Sequence, residues 1–496
     1  MKAGLSTLIR TGLGLLVAAF LVHAASSPIG WGDFFWQEKT GELIWTTRAI
    51  PHVDPFAWTT AGKDWVEHEW LTGLGYFALH RAGGLLAVRL FFAALWLVGT
   101  ARLYAALRRA GDEVTAGLGV AAFLVLVPRQ FVPAPSTLSL FISLAITLVW
   151  APWRVRRSLS RIAAVTAIFF MWCNMHSQAL LALGFFALHA AVPTGQRIVG
   201  RWLGAPSSPP PSSDRWVLLA SCTAVSFLTP YTWHVHAYAL HGPNIARLID
   251  EWVPLLEGNY VAAPTKALVV LVAVLMVASI AWRLARRGWR DVVMSESLFY
   301  DICALACLWL ALRHGRFVWI VMVPIAHLAH LHAEALRRVP AAIGAATVAA
   351  CLAGALATYG WSPRLLAGVF TKVYFQHDLR ERILPVGAAD FLRANHLEGR
   401  LFNHYEWGGY LIYRLYPDYR VFVDGRTVLH GAGIIEDEMR ISRGAPETPA
   451  LLDRYGIQIL VVGPNYFSAD MARKLGWSLR YRDEAAAVFY RDAVPR

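Results

Sequence analysis

The hydrophilic stretch from residue 30 to residue 71 crowds carboxylates and histidines between six tryptophans. A carboxylate that reaches an acceptor hydroxyl or amine can remove its proton during nucleophilic attack, which is general-base catalysis. The candidates are, for catalysis, Asp33, Glu67 and Glu69 and, for substrate binding, His52, Asp54 and His68. The competing interpretation is a solvated amphipathic stretch that its tryptophans anchor at a membrane surface.

Three arginines stand in later loops that otherwise contain few positive residues: Arg129, Arg313 and Arg316. The planar guanidinium group binds phosphate through two parallel hydrogen bonds, so these residues are predicted to hold an anionic substrate. His176 is predicted as a further substrate-binding residue. The alternative for each arginine is an anchor to lipid headgroups.

No metal ligand is predicted. Oxygen-rich sites suit Mg²⁺ or Mn²⁺, and one of these ions is left open as a cofactor. However, Glu67, His68 and Glu69 are consecutive and cannot all face one ion on a regular element. His234 and His236 have a spacing that favours hydrogen-bonded histidines over metal ligands.

The elements that must position these residues belong to a membrane protein. The chain has 496 residues, of which 56% are hydrophobic and 16% are charged, and its mean hydropathy is +0.44. A soluble domain carries about 25% charged residues. This composition excludes a disordered chain, a nucleic-acid-binding domain and an ordinary cytosolic enzyme. It predicts a polytopic α-helical membrane protein.

A membrane-spanning helix needs about 20 mostly apolar residues, and the sequence predicts about eleven spans. They are Thr11–Ile29, Leu85–Leu103, Thr115–Val127, Leu138–Ala151, Ile162–Met175, Ala179–Val192, Trp216–Tyr231, Ala267–Trp282, Leu298–Leu312, Phe317–Leu331 and Ala341–Tyr359. The first could instead be a cleaved signal peptide. The apolar piece Trp70–His80 is too short to cross, and we expect it to lie along the membrane surface.

Arginines concentrate in every second loop, which predicts a cytoplasmic N-terminus and an outer C-terminal segment. The sequence thus predicts a membrane domain over residues 1–360, with the stretch 30–71 as its first outer loop, and a small α/β domain over residues 361–496. Predicted strands in that domain are Arg400–Asn403, Arg420–Asp424, Gln458–Val462 and Ala486–Tyr490, and predicted helices are Trp407–Tyr416 and Ala450–Tyr455. The turn Asp424-Gly425-Arg426 is either a ligand-binding edge or a structural ion pair.

The polar residues gather at one membrane face, and no clear internal repeat is visible. A transporter places its ionisable groups near the bilayer midplane and shows repeats or broken helices. The distribution therefore favours an enzyme that works at the outer leaflet. A transporter or a non-catalytic assembly subunit remains the alternative from another functional class.

The layout resembles that of the GT-C membrane glycosyltransferases, which include protein O-mannosyltransferases, aminoarabinose transferases and oligosaccharyltransferases. The motifs that carry the resemblance are Gly32-Asp33, Gly41-Glu42, the segments 50–56 and 65–71, Trp172–His176, Thr229-Pro230-Tyr231, Glu251-Trp252, Phe402-Asn403, Trp407–Leu411 and Asp424-Gly425-Arg426. They are spread over nearly the whole chain.

The resemblance implies transfer of a sugar from a polyprenyl phosphate or pyrophosphate carrier to a glycan, lipid or protein acceptor, with no nucleic-acid partner. It implies that an acid in the first outer loop acts as the catalytic base or orients the acceptor, and this role falls here on Asp33. The family often pairs two acids at this point, whereas Phe34 follows Asp33, so Glu67 and Glu69 stay as alternative bases. Arg313 or Arg316 would hold the phosphate, and a single displacement would invert the anomeric carbon. A polysaccharide polymerase or ligase is the second enzymatic interpretation, and a bacterial inner membrane is the expected location.

Overall fold

The computed structural model describes residues 14, 29–30, 32–110, 113–127, 132–150, 159–204, 213–241, 248–332, 334–335, 346 and 383–491. Arg129 and the predicted span Ala341–Tyr359, apart from residue 346, lie outside the described residues. The predicted span Thr11–Ile29 also lies outside them, apart from residues 14 and 29.

The first part of the chain is helical. Its helices are α1 (Gly32–Thr47), α2 (Trp70–Ala110), α3 (Glu113–Leu126), α4 (Pro135–Trp150), α5 (Leu159–Met175), α6 (Ala179–Trp202), α7 (Ser213–Ser226), α8 (His234–His241), α9 (Ala263–Val293), α10 (Leu298–Arg313) and α11 (Met322–Leu331). Short 3₁₀ helices form at Asp250–Trp252 and Gly315–Val321. Helices occupy all or most of the predicted spans between residues 85 and 331.

Within the described residues, three helices are long and apolar enough to cross a membrane: Trp70–Arg109, Ala179–Trp202 and Ala263–Val293. The first of them includes Trp70–His80, which we expected to lie along a membrane surface. This piece is the beginning of α2, which continues past a kink at Gly83 and Gly84. Tyr76 from this piece is only 2% exposed, because it packs in the protein core.

Residues 383–491 form a mixed layer of helices and strands. The helices are α12 (Val386–Asn395), α13 (Gly408–Leu415), α14 (Thr427–Ser442), α15 (Thr448–Arg454) and α16 (Phe467–Lys474). The strands β1 (Arg400–Asn403), β2 (Ile457–Val462), β3 (Ser478–Arg482) and β4 (Ala487–Tyr490) form one sheet in the order β1-β2-β4-β3. Strand β1 runs parallel to β2, and the other two pairs are antiparallel.

The predicted strand Arg420–Asp424 is wrong, because other groups satisfy its backbone. The side chain of Asn403 accepts a hydrogen bond from the Phe422 N–H at 2.9 Å and donates to the Val423 carbonyl at 2.8 Å. The Val421 carbonyl accepts from the Trp58 N–H at 3.1 Å. A buried backbone needs partners of some kind, and here one side chain and the opening stretch provide them. This segment is therefore a buried extended connection between the opening stretch and the sheet.

Helix α1 lies between α2 and α13, and glycines allow the close approach. A Cβ atom on Gly41 would lie 2.0 Å from the Gly73 carbonyl oxygen, and one on Gly73 would lie 2.5 Å from the Gln37 carbonyl oxygen. On the other side of α1, a Cβ atom on Gly409 would lie 2.1 Å from the Gly32 carbonyl oxygen. One core therefore includes Phe34 and Phe35 from α1 together with Tyr410 from α13.

We predict that Gly41→Ala destabilises the protein, because the methyl group pushes α1 away from α2. Such overpacking costs about 1–3 kcal/mol. The matched control is Gly75→Ala on α2, where no atom lies within 4 Å of the added Cβ, so only the better helix propensity of alanine remains. The melting temperature of the purified protein in detergent should fall for Gly41→Ala and stay constant or rise for Gly75→Ala. Equal melting temperatures for the two variants would contradict this packing.

Candidate functional site

A cavity of about 820 Å³ collects most of the predicted site residues. Its lining includes Asp33, Glu67, His68, Glu69, His176 and Arg316 from the predicted set, together with Gln178, His236, Glu251, Tyr405, Glu406 and Arg426. His52, Asp54 and Arg313 are absent from the lining. Five segments far apart in the sequence thus meet around one space, and three carboxylates of the opening stretch face it.

Asp33 lies in the first turn of α1 and accepts a hydrogen bond from the Trp36 indole N–H at 3.1 Å. The turn at Gly425 covers its other side so closely that a Cβ atom there would lie 1.7 Å from Asp33 Oδ1. Although the residue keeps some exposure to the cavity, its carboxylate lies deep in the protein. Burial raises the pKa of Asp33 to about 7, against the lowering effect of the Trp36 hydrogen bond.

Glu67 is almost completely buried, at 1% exposure. Its Oε1 accepts the Glu69 backbone N–H at 3.1 Å. Burial raises the pKa of Glu67 to about 8, while the positive charge of Arg426 acts in the opposite direction. Glu67 is therefore mostly protonated at neutral pH, unless a ligand adds positive charge nearby.

Glu69 is surrounded by hydrogen-bonding side chains. Its Oε2 accepts a hydrogen bond from the Gln37 amide, and its Oε1 lies 3.4 Å from His176 Nε2 and 3.6 Å from His68 Nε2. Burial, followed by the charges of Glu67 and Asp33, raises the pKa of Glu69 well above its usual range. Burial lowers the pKa of His68 to about 4 and also lowers that of His176, so both rings are neutral at pH 7.

His176 has a second set of partners behind the cavity. Its Nδ1 lies 2.7 Å from Ser139 Oγ, which accepts a hydrogen bond from the Trp172 indole N–H at 2.7 Å. Ser139 on α4 and Trp172 near the end of α5 therefore hold the His176 ring against Glu69. The Trp172–His176 motif of the sequence analysis therefore contributes directly to the site.

Arg316 lies in the 3₁₀ helix that follows α10. Its guanidinium pairs with Glu251 at 3.1 Å and lies 4.2 Å above the centre of the Trp252 ring. Its Nε has no hydrogen-bond partner among the described residues. Arg313, three residues earlier, is exposed at the last position of α10 and does not line the cavity. The structure thus separates two arginines that the sequence could not distinguish.

Asp54 has a structural position that differs from the expected contact with substrate. Its Oδ1 lies 2.6 Å from Arg426 Nη1, and Asp424 Oδ2 lies 2.6 Å from Arg426 Nη2. The Arg426 guanidinium also lies over the Trp65 ring, 4.6 Å from its centre. Although burial opposes ionisation, the charge of Arg426 holds the pKa of Asp424 well below its usual range. Asp54 therefore fixes Arg426, and Arg426 in turn faces the cavity.

His52 is exposed and does not reach the cavity; its ring lies 4.9 Å from that of Tyr231. The lining also includes Gln178, Tyr405 and Glu406, which the sequence alone does not assign to the site. Tyr405 and Glu406 immediately precede the Trp407–Leu411 motif, which was the available signal. For Gln178, no signal in the sequence distinguishes it from other glutamines.

The described part of the chain contains no group of three or more His, Cys, Asp or Glu side chains arranged to hold a metal ion. The two oxygens of Glu69, for example, face the Gln37 amide and two histidine rings.

We predict that Arg426→Met lowers the free energy of unfolding by about 3–5 kcal/mol, because it leaves two buried carboxylates without their cation. The control Arg420→Met alters an exposed arginine nearby and should change stability by no more than about 0.5 kcal/mol.

Because the folded-state pKa of Asp424 is lowered, the stabilisation exists above the unfolded pKa of about 3.9 and disappears as the pH falls below it. The measurement is thermal unfolding in detergent at pH 7 and below pH 4. An equal effect of both substitutions at pH 7 would contradict the ion-pair assignment.

No protein-family model matches the chain, and no curated protein matches its sequence. Solved structures do match. The oligosaccharyltransferase of Archaeoglobus fulgidus, tethered with an acceptor peptide containing the NVT sequon, is similar at 13% identity and a TM-score of 0.53, over 91% of this chain and 69% of that one. The same archaeal enzyme, AglB, in complex with an inhibitory peptide and a dolichol-phosphate has a TM-score of 0.51 at 13% identity and the same coverage.

The Cupriavidus metallidurans ArnT bound to undecaprenyl phosphate matches 99% of this chain and 98% of its own, at 14% identity and a TM-score of 0.47. At these identities the two archaeal matches establish the fold alone. The chain has the GT-C fold, as its sequence resemblance predicted.

Proposed function

We propose that the protein is a glycosyltransferase that moves a sugar from a polyprenyl-phosphate-type carrier to an acceptor at the outer face of a membrane. The observation that carries the proposal is the presence of Asp33, with a pKa raised to about 7, and Arg316 in one cavity. An acid that is half ionised near neutral pH and a cation in the same cavity are the two groups that this transfer needs. The shared GT-C fold supports the same class of reaction.

Asp33 is the best candidate for the base among the three acids. Among the described residues its side-chain hydrogen bond engages Oδ1, which accepts from Trp36, and in this proposal Oδ2 receives the acceptor proton. Glu69 is occupied by Gln37, and burial raises its pKa well above its usual range. Glu67 is more deeply buried than Asp33 and interacts with Arg426. The ideal catalytic pKa lies near the working pH, which favours Asp33.

The chemical step is a single displacement. The acceptor oxygen or nitrogen attacks the anomeric carbon, and its proton moves to Asp33 Oδ2. The bond between the anomeric carbon and the phosphate oxygen breaks, and its electron pair stays on the lipid phosphate. Arg316 stabilises that growing negative charge. Attack from the side opposite the leaving group inverts the anomeric configuration.

One wall of the cavity is apolar and suits a prenyl chain. It includes Leu180, Leu181 and Leu183 from the first turns of α6, Leu310 from α10, and Phe317. A prenyl chain along this wall would bring its phosphate toward Arg316, which lies next to Phe317. The archaeal enzyme with the same fold has been observed with a dolichol-phosphate, which supports a lipid-phosphate donor here.

We further propose that residues 361–496 form a periplasmic domain that caps the membrane domain of residues 1–360. The cavity lining includes Tyr405, Glu406 and Arg426 from this part of the chain. This domain would therefore form the acceptor side of the cavity. The N-terminus would then be cytoplasmic, and the protein would belong to a bacterial inner membrane. The acceptor is a glycan, a lipid or a protein that offers a hydroxyl or amine.

Replacing Asp33 by Asn removes the proposed base and should lower kcat by at least about 100-fold. The control Glu42→Gln removes another carboxylate of α1, which pairs with Lys39 at 2.7 Å and is absent from the cavity lining. The assay follows a radiolabelled sugar from a polyprenyl phosphate to membrane acceptors with the purified protein in lipid nanodiscs. Because only the ionised form of Asp33 accepts a proton, wild-type kcat/KM should fall about tenfold per pH unit below pH 7. Full activity of Asp33→Asn would contradict the assignment of the base.

Arg316→Gln should weaken the use of the donor, because a hydrogen bond to a charged group contributes about 1.5–3 kcal/mol. This corresponds to a fall in kcat/KM of about 10- to 150-fold. Arg313→Gln is the matched control, since Arg313 is exposed and lies outside the cavity. Kinetics with varied donor concentration measure both variants. A larger defect for Arg313→Gln than for Arg316→Gln would overturn the proposed phosphate site.

A further inference from the structure

Residues that line the cavity contain four buried polar atoms without a hydrogen-bond partner among the described residues: Gln178 Nε2, Gln178 Oε1, His236 Nδ1 and Arg316 Nε. A buried polar group without a partner costs about 1–3 kcal/mol, and native proteins keep few of them. Their presence around one cavity indicates that a ligand supplies the missing partners.

Gln178 is the most informative of these residues, because both ends of its amide lack a partner and the residue is only 7% exposed. The backbone around it is satisfied. The Ala179 N–H donates to the His176 carbonyl at 3.2 Å, and the Leu181 N–H donates to the Gln178 carbonyl at 3.1 Å. The unsatisfied groups at the start of α6 are therefore those of the Gln178 side chain, not those of the first backbone amides.

The chemistry of the amide selects the ligand. A phosphate only accepts hydrogen bonds, so it would satisfy Nε2 and leave Oε1 without a partner. A sugar hydroxyl both donates and accepts, and two neighbouring hydroxyls satisfy the two ends of one amide. The terminal torsion of glutamine is soft, so a bound sugar can reorient the amide to meet its hydroxyls.

The place of Gln178 in the chain suits a sugar. Two residues before it lies His176, which faces the acid Glu69, and two residues after it lies Leu180, at the beginning of the apolar wall. In a lipid-linked donor the sugar lies between the prenyl phosphate and the attacking acceptor. We infer that Gln178 binds a hydroxyl of the transferred sugar and selects donors that carry it, while Arg316 holds the phosphate. This inference rests on the proposed glycosyltransferase function.

The test compares donors that differ by one hydroxyl. Polyprenyl phosphates carrying mannose, glucose or galactose are first offered to the purified full-length protein, and the best substrate is then compared with its monodeoxy analogues. The wild type should lose about 10- to 100-fold in kcat/KM on one deoxy analogue, because a buried amide is left unpaired. Gln178→Met should use that analogue and the parent donor about equally well. Without donor, its melting temperature should be unchanged or higher, because the unpaired amide is gone.

Gln196→Met is the matched control on the same helix. The Gln196 amide donates to the Val293 and Ser295 carbonyls at 2.8 Å each, so its loss should lower the melting temperature and leave the donor preference as in the wild type. The inference is overturned if Gln178→Met lowers kcat/KM equally for every donor, or if it melts earlier and keeps the wild-type preference. If the wild type uses none of the three donors, the proposed function fails and the inference fails with it.

Discussion

The buried guanidinium of Arg426 joins two parts of the chain that are 372 residues apart, through its ion pair with Asp54. A buried charge is costly unless it is paired and hydrogen-bonded, and here Asp54, Asp424 and the face of Trp65 surround it. The same turn places Gly425 against the carboxylate of Asp33. The geometry of the proposed active site therefore depends on this one charge cluster, although Asp54 itself does not face the cavity.

The cluster also explains how neighbouring acids acquire different properties. Asp424 is paired with a cation, so its pKa is lowered, whereas Asp33 has no paired cation among the described residues and burial raises its pKa to about 7. Glu67 lies near the same cation, yet burial still raises its pKa to about 8, because the charge of Arg426 offsets only part of the effect. One fold thus provides an ionised carboxylate, Asp424, that holds the structure together and an acid, Asp33, that exchanges a proton near neutral pH.

The residue types of the site could be predicted from the sequence more readily than its geometry. Asp33, Glu67, Glu69 and Arg316 were chosen for their chemistry, and the structure places all four on one cavity. The sequence does not predict helix α1, because its buried residues include Gln37 and Glu38 beside apolar side chains and it therefore shows no separate polar face. Strand β3 was missed because most of its residues are exposed and polar. The Arg426–Asp54 pair could not be predicted, because no local pattern determines contacts between residues so distant in sequence.

The central claim is that the cavity beside Asp33 binds a lipid phosphate through Arg316. The most direct test is an experimental structure of the purified protein with a bound polyprenyl phosphate. We expect phosphate oxygens within about 2.7–2.9 Å of the Arg316 guanidinium nitrogens, with the prenyl chain along Leu180 and Leu181. A phosphate bound at Arg313, or anywhere outside this cavity, would contradict the account.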